Sequence, residues 1–145
     1  MWTVSQQVGN IDPTFNTCNL AIAAGASFVA RETVNDPKKL EKAMVKALEH
    51  KGFSLLEVLS NCHINLGRKN KMNSAIENLN WIDSITVSKK KYDTMTQEEQ
   101  ANLLPTGILK QDTEAAEYCD MYAEIIKVHQ GKRKTITQDD FKKKI

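Results

Sequence analysis

Residues 20–62 read LAIAAGASFVARETVNDPKKLEKAMVKALEHKGFSLLEVLSNC, and this stretch decides the fold. Two short apolar segments, 28–30 and 53–59, lie on either side of a longer amphipathic segment. Nearly continuous apolar runs are typical of strands in a parallel sheet that is covered on both faces. A helix between two such strands predicts a βαβ unit and places the chain in the α/β class.

The segment between the two predicted strands carries the signals of a complete helix. Asp36 is a favourable N-cap, and Pro37 suits the first helical position because it has no amide hydrogen to leave unpaired. Gly52 follows, where a left-handed residue ends a helix. The apolar stripe of this helix comprises Leu40, Ala43, Met44, Ala47 and Leu48. A shorter helix is predicted over residues 15–24, ending at Gly25.

The second predicted strand leads directly to Cys62. Ligands of open α/β sheets bind beyond the carboxyl ends of the strands, so Cys62 is the first candidate site residue. The other cysteines, Cys18 and Cys119, are far away in the sequence, and an odd number of cysteines argues against a disulfide framework. Because no CxxC pair occurs, the chain lacks the common spacing for a metal site of its own.

Other side chains with catalytic potential favour structural roles. His63 follows Cys62, but neighbours along an extended chain point to opposite faces, which disfavours a catalytic Cys-His pair. His50 lies in the last turn of the predicted helix, where the helix dipole favours positive charge. Cys119 and His129 lie on an apolar helical stripe, so Cys119 is predicted to be a small core residue.

Composition narrows the possible class of protein. The chain has 145 residues, with 20 basic and 18 acidic side chains, a balance too even to indicate a nucleic-acid partner. No apolar run approaches the roughly 20 residues of a membrane span, and the first residues do not resemble a signal peptide. We therefore expect one ordinary domain in the cytoplasm, without a membrane span.

The remaining segments have weaker patterns. Residues 1–14 are predicted to be an extended lead-in, and residues 63–71 a polar loop. Leu104-Pro105-Thr106-Gly107 indicates a turn, and residues 114–130 indicate an amphipathic helix. The lysine-rich tail after Gly131 is expected to be frayed helix or disorder.

A longer pattern resembles a known family. The run AIAAGASFVAR, the proline-started helix, and EHKGFSLLEVLSNC followed by Asn65 closely resemble the β subunit of the 2-oxoacid:ferredoxin oxidoreductases, in particular the 2-oxoglutarate:acceptor oxidoreductases. The segment LPTGIL, residues 104–109, resembles that family's near-terminal element. The resemblance covers roughly residues 9–112.

The resemblance implies a thiamine diphosphate-binding fold that is only partly present. The family's CxxC-type cysteines and its GDG motif for magnesium and diphosphate are absent from this sequence, so the chain is expected to be the C-terminal part of a longer subunit. Residues 1–66 would then be the end of the α/β cofactor domain, and residues 67–145 a mostly helical extension. The isolated chain is expected to be inactive and to hold no cofactor.

The resemblance also implies a role for Cys62. It matches the family's cysteine that supplies the last ligand of a four-iron four-sulfur cluster. The complete enzyme would use thiamine diphosphate and magnesium to decarboxylate a 2-oxoacid, 2-oxoglutarate by resemblance, with coenzyme A, yielding succinyl-CoA. It would pass electrons to ferredoxin or a similar acceptor, and the chain would assemble with the α and other subunits.

A different class of function stays open on the sequence alone. The chain could be a non-catalytic α/β interaction subunit whose basic second half docks to an acidic electron-transfer partner. The lysines at positions 89–91 and in the tail would supply the positive charge.

Overall fold

A computed structural model describes residues 15–72 and 74–130. The helices in these ranges are α1 (Thr17–Ala23), α2 (Pro37–Glu49), α3 (Ala75–Ile85), α4 (Lys89–Tyr92), α5 (Gln97–Gln100) and α6 (Tyr118–His129). The strands are β1 (Phe28–Thr33), β2 (Ser54–Leu59), β3 (Thr86–Ser88) and β4 (Leu104–Gln111). The described residues divide into two compact units between Ala115 and Ala116.

The predicted βαβ unit is confirmed. Strands β1 and β2 are parallel and in register from the Phe28–Ser54 pair to the Thr33–Leu59 pair. Between them, α2 begins as the sequence predicts, since the Asp36 carboxylate accepts a hydrogen bond from the Lys39 amide at 3.0 Å. The unit places the carboxyl ends of both strands at the same edge of the sheet.

The sheet is mixed rather than purely parallel. Its strand order is β2-β1-β4-β3, with β3 parallel to β4 and β4 antiparallel to β1. Residues 104–107, predicted to be a turn, are therefore the start of a strand, and that prediction is wrong. Pro105 is tolerated because this stretch of β4 pairs only with β3. Gly107, with φ +108°, lies where the pairing changes to β1.

The core surrounds β1, whose six residues are all buried. On one side of the sheet, Cys18 from α1 packs with Ala26 and Val29. Ala43 of α2 and Ile82 of α3 are also buried. Burial of Phe28, Val29 and Ala30 fits the apolar run that predicted this strand. The two charged residues of β1, Arg31 and Glu32, are the exception, and Arg31 belongs to a polar cluster described below.

Two further predictions need correction. Residues 63–71 are not a loop, because His63–Gly67 forms a π-helical turn. The helix predicted over 114–130 begins only at Tyr118, and Cys119 is exposed rather than part of a core. The stripe that carries Cys119 satisfies helical periodicity, but within residues 116–130 it has no partner surface that buries it.

Other predictions are not decided by the structure. The lead-in of residues 1–14 and the tail after Gly131 lie outside the described residues. The predicted boundary between residues 66 and 67 stays a prediction, although β3 and β4 beyond it join the same sheet as β1 and β2. Across residues 15–72 and 74–130, none of the helices is long and apolar enough to cross a membrane.

Candidate functional site

Cys62 lies three residues beyond the end of β2, at the carboxyl edge of the β1–β2 pair. The pairing of the two strands continues past their ends, because the Val34 amide donates to the Leu59 carbonyl oxygen at 3.0 Å. Cys62 is exposed, as is its neighbour His63. The sequence-predicted position of Cys62 at the ligand side of the sheet is therefore where the structure places it.

The backbone after Cys62 forms a closed turn, residues 62–67, called here the Cys62 turn. The Gly67 amide donates to the Cys62 carbonyl oxygen at 2.9 Å, which is the five-residue spacing of a π-helix. Such turns are rare in proteins and frequently occur at functional sites. The next residues bond back to the turn, and the Met72 amide donates to the Gly67 carbonyl oxygen at 2.8 Å.

The Cys62 turn favours a thiolate. The backbone amides of Leu66 and Asn65 donate hydrogen bonds to the Cys62 sulfur and lower the pKa of its thiol. The thiolate is the form of cysteine that ligates metals and attacks electrophiles. Because the sulfur is also exposed, it is available to a group outside the chain.

Helix α3 supports the Cys62 turn from behind. Asn78 on α3 is only 1% exposed and packs against Gly67. A methyl group added at Gly67 would meet the Asn78 Nδ2 atom and the Met72 carbonyl oxygen at 2.8 Å each. Only glycine therefore fits this contact without displacing its neighbours.

Helix α3 is in turn anchored to the loop after β1. The Asn35 side-chain amide donates to the Leu79 carbonyl oxygen at 2.9 Å and to the Asp83 carboxylate at 2.7 Å. Asn35 directly precedes the Asp36 N-cap of α2. The loop between β1 and α2 is thus joined to α3 by two side-chain hydrogen bonds.

A second polar cluster, which sequence reasoning missed, lies within the sheet. Arg31 in β1 and Glu57 in β2 are paired residues of the parallel register, and their side chains form an ion pair. Arg31 is 2% exposed and also donates to the Asn16 side-chain oxygen at 3.1 Å. Thr17 donates to the Glu57 carboxylate, as does the Cys18 thiol at 3.3 Å. We call these five residues the Arg31 cluster.

The Arg31 cluster sets the protonation of its acidic members. Burial alone would raise the pKa of Glu57, but hydrogen bonds from Thr17, Arg31 and Cys18 outweigh it and lower that pKa. Burial raises the pKa of the Cys18 thiol to about 11, against the pull of the Arg31 charge. Cys18 is therefore a neutral thiol at physiological pH. The sequence signal that could have revealed this cluster is a pair of opposite charges, Arg31 and Glu57, at matching positions of the two strands.

The cluster borders a cavity of about 630 Å³. Arg31 and Glu57 line it together with side chains from α4, α5 and the start of β4, among them Tyr92, Gln100 and Leu104. Arg31 is already paired with a carboxylate, so it has no uncompensated charge to offer an anionic ligand. The arrangement is that of a structural ion pair.

His50 has the structural role expected of it, whereas His129 does not have the environment that the sequence predicts. His50 Nε2 lies 2.9 Å from the Ser27 hydroxyl oxygen, and its ring lies 5.4 Å from the Phe28 ring. His50 therefore fastens the end of α2 to the start of β1. His129, predicted to face a core, is exposed. The structure does not bring either of them into a described contact with Cys62.

Metal ligands do not gather elsewhere in the described part of the chain. Across residues 15–72 and 74–130, no three histidine, cysteine or acidic side chains are arranged to hold a metal ion. Cys18, Cys62 and Cys119 are all free thiols. Within these residues, Cys62 can offer one thiolate to a metal centre whose other ligands come from outside them.

Known proteins resemble this chain in sequence. Residues 1–58 match the family model of the thiamine pyrophosphate enzymes, C-terminal TPP binding domain. The chain is 34% identical over 124 residues to the 2-oxoglutarate synthase subunit KorB of Methanothermobacter marburgensis, covering 86% of this chain and 43% of that protein. It is 47% identical over 60 residues to the KorB subunit of Archaeoglobus fulgidus, covering 41% of this chain and 22% of that protein.

A solved structure has the same fold. A chain of the 2-oxoglutarate:ferredoxin oxidoreductase from Magnetococcus marinus, solved with 2-oxoglutarate, coenzyme A and succinyl-CoA bound, superposes with a TM-score of 0.67. The match has 17% identity and covers 97% of this chain and 48% of that one. The chain thus spans less than half the length of the relatives it matches. Since sequence, family model and fold agree, the chain is a relative of the β subunits of the 2-oxoacid:ferredoxin oxidoreductases and corresponds to part of such a subunit.

Proposed function

We propose that this chain is part of the β subunit of a 2-oxoacid:acceptor oxidoreductase and that Cys62 ligates a four-iron four-sulfur cluster there. The substrate class is a 2-oxoacid, in the first place 2-oxoglutarate, which the complete enzyme converts with coenzyme A to the acyl-CoA. The carrying observation is the exposed Cys62 thiol, whose pKa is lowered by backbone amides at the carboxyl edge of the sheet.

The residues present fit one ligand of such a cluster. Iron-sulfur clusters are held by cysteine thiolates, and hydrogen bonds to the sulfurs tune their potentials. The Leu66 and Asn65 amides supply hydrogen bonds of that kind to Cys62. Cys18 does not fit, because it is fully buried and bonded to Glu57. The remaining ligands would come from outside the described residues.

This chain and the rest of the enzyme would make different contributions to the reaction. When bound, thiamine diphosphate supplies the decarboxylation chemistry, and an iron-sulfur cluster carries single electrons to the acceptor. This chain would contribute the sheet, the packing behind the Cys62 turn and one thiolate. Magnesium and the diphosphate would be held by another part of the subunit. We further propose α and other subunits as partners, ferredoxin or a similar acceptor, and a cytoplasmic location.

The test is a cysteine replacement in the complete complex. Cys62→Ser should remove cluster iron and abolish electron transfer to the acceptor, because a serine oxygen is a harder ligand that these clusters hold poorly. Cys119→Ser is the matched control, since Cys119 is also exposed and should leave the iron content unchanged. Full iron content and full activity in the Cys62→Ser variant would show that Cys62 is not the cluster ligand.

One observation favours the alternative, a non-catalytic interaction subunit. Lys90 and Lys91 are exposed on α4, where they could meet an acidic partner. Sequencing the gene upstream of the Met1 codon separates the two functions. A continuous reading frame with CxxC and GDG motifs supports the oxidoreductase subunit, whereas a stop codon directly before Met1 supports the alternative.

A further inference from the structure

The contact between Gly67 and Asn78 joins the Cys62 turn to α3. We infer that Asn78 and Gly67 are positioning residues for Cys62: their contact holds the Cys62 turn in the shape that leaves the Cys62 sulfur exposed. This inference rests on the proposed cluster role of Cys62 for its biological purpose. It rests on the described contacts for its geometry.

Gly67 is the residue that closes the Cys62 turn. Its amide donates to the Cys62 carbonyl oxygen at 2.9 Å. Asn65 and Leu66 precede Gly67 directly within the same turn. A displacement of Gly67 therefore disturbs the hydrogen bond that closes the turn onto Cys62.

The second step is what fixes Gly67. Its Cα faces the flat side-chain amide of Asn78, and its carbonyl oxygen accepts from the Met72 and Asn70 amides at 2.8 and 3.1 Å. A Cβ here would approach the Met72 carbonyl oxygen to 2.8 Å, and a backbone atom cannot move aside as a flexible side chain can. Gly67 is thus confined on two sides.

The third step concerns Asn78 itself. Its Nδ2 donates to the Ser74 carbonyl oxygen at 3.0 Å, whereas its buried Oδ1 has no hydrogen-bond partner in the described structure. A buried, unpaired carbonyl oxygen costs stability, so packing stability alone would favour an apolar side chain at this position. What asparagine supplies is a flat, fixed amide that fits against the glycine.

The last step is rigidity behind Asn78. Leu79, the next residue, accepts through its carbonyl oxygen the hydrogen bond from Asn35, which precedes α2. Asp83, one turn further along α3, accepts the second hydrogen bond from Asn35. The wall against which Gly67 rests is therefore tied to the end of β1. Residues that orient a metal ligand from behind typically change metal affinity about 10–100-fold when replaced.

The experiment uses the complete complex with Gly67→Ala or Asn78→Ala in this subunit. Asn80→Ala is the matched control, because Asn80 is an exposed asparagine on the same helix. Iron release to a chelator should be about tenfold faster in both variants, and the reduced cluster should give an altered electron paramagnetic resonance spectrum. The control should match the wild type. Unchanged release and spectra in variants that are merely less stable to urea would overturn the inference.

A second measurement does not depend on assembly of the complex. It separates the cluster role proposed for Cys62 from the positioning role inferred for Gly67 and Asn78. In this chain, the rate of Cys62 alkylation relative to Cys119 should change in Gly67→Ala and Asn78→Ala and stay constant in Asn80→Ala. An unchanged ratio in a folded variant contradicts the positioning role. If Cys62→Ser retains iron while the alkylation ratio shifts in Gly67→Ala, the cluster assignment fails and the positioning role survives.

Discussion

Cys18 and Cys62 lie near the same strand, β2, but their surroundings give them opposite chemistry. Cys18 is fully buried, donates to the Glu57 carboxylate, and has a pKa raised to about 11 by burial. Cys62 is exposed beyond the strand, and backbone amides lower its pKa. Position relative to the sheet therefore decides the reactivity of each thiol: Cys18, inside the packing, is inert, and Cys62, at the carboxyl edge, is available.

The largest expected change in stability comes from the Arg31 cluster, which contains the buried Cys18. Arg31→Met should lower the free energy of unfolding by about 3 kcal/mol, because it leaves the Glu57 carboxylate partly buried without its cation. Urea unfolding of the purified chain measures this loss. The control is Lys39→Met, which removes an exposed ion pair with Asp36 and should cost less than about 1 kcal/mol. Equal small losses in both variants would show that the cluster is not structural.

A smaller effect is expected from the Cys18 thiol at high pH. In the unfolded chain this thiol ionises near its ordinary pKa of 9.0, but in the folded chain only near 11. Between these values the unfolded state loses the proton first, so stability falls as the pH rises, by at most about 1.4 kcal/mol per pH unit. The urea midpoint of the wild type should therefore fall relative to that of Cys18→Ala from pH 9 to 11. A constant difference would contradict the raised pKa.

The next effect compares the two cysteines by the same substitution. Cys18→Ala should cost about 1–2 kcal/mol, because it removes buried sulfur packing and one hydrogen bond to Glu57. Cys62→Ala should change the stability of the chain by less than about 0.5 kcal/mol, since its side chain is exposed. Thermal unfolding of both variants gives the values. A reversed order would mean that Cys62 is part of the packing.

Local pattern was enough to predict the first half of this fold. The Asp36 cap, the α2 stripe and the two apolar strands are written in short-range signals, and their parallel pairing follows from the helix between them. The position of Cys62 at the carboxyl edge follows in turn. These predictions succeeded because each element's sequence and its tertiary surroundings agree.

The misread elements are those that tertiary context decides. Residues 104–107 carry turn residues, but long-range pairing with β3 makes them a strand. The stripe with Cys119 has perfect helical spacing, yet spacing alone does not supply a surface to bury it. The Arg31 cluster required knowing the register of two strands 26 residues apart. The Gly67–Asn78 contact joins segments whose approach no local signal encodes.

Alkylation of the folded chain tests most directly whether Cys62 is an exposed thiol that ionises more readily than usual and Cys18 a buried one that does not. Iodoacetamide at neutral pH, followed by mass spectrometry of the three cysteine peptides, reports each thiol separately. Cys62 should be modified first, and Cys18 should react only after unfolding in urea. Modification of Cys18 as fast as Cys62 in the folded chain, or protection of Cys62, would contradict this expectation.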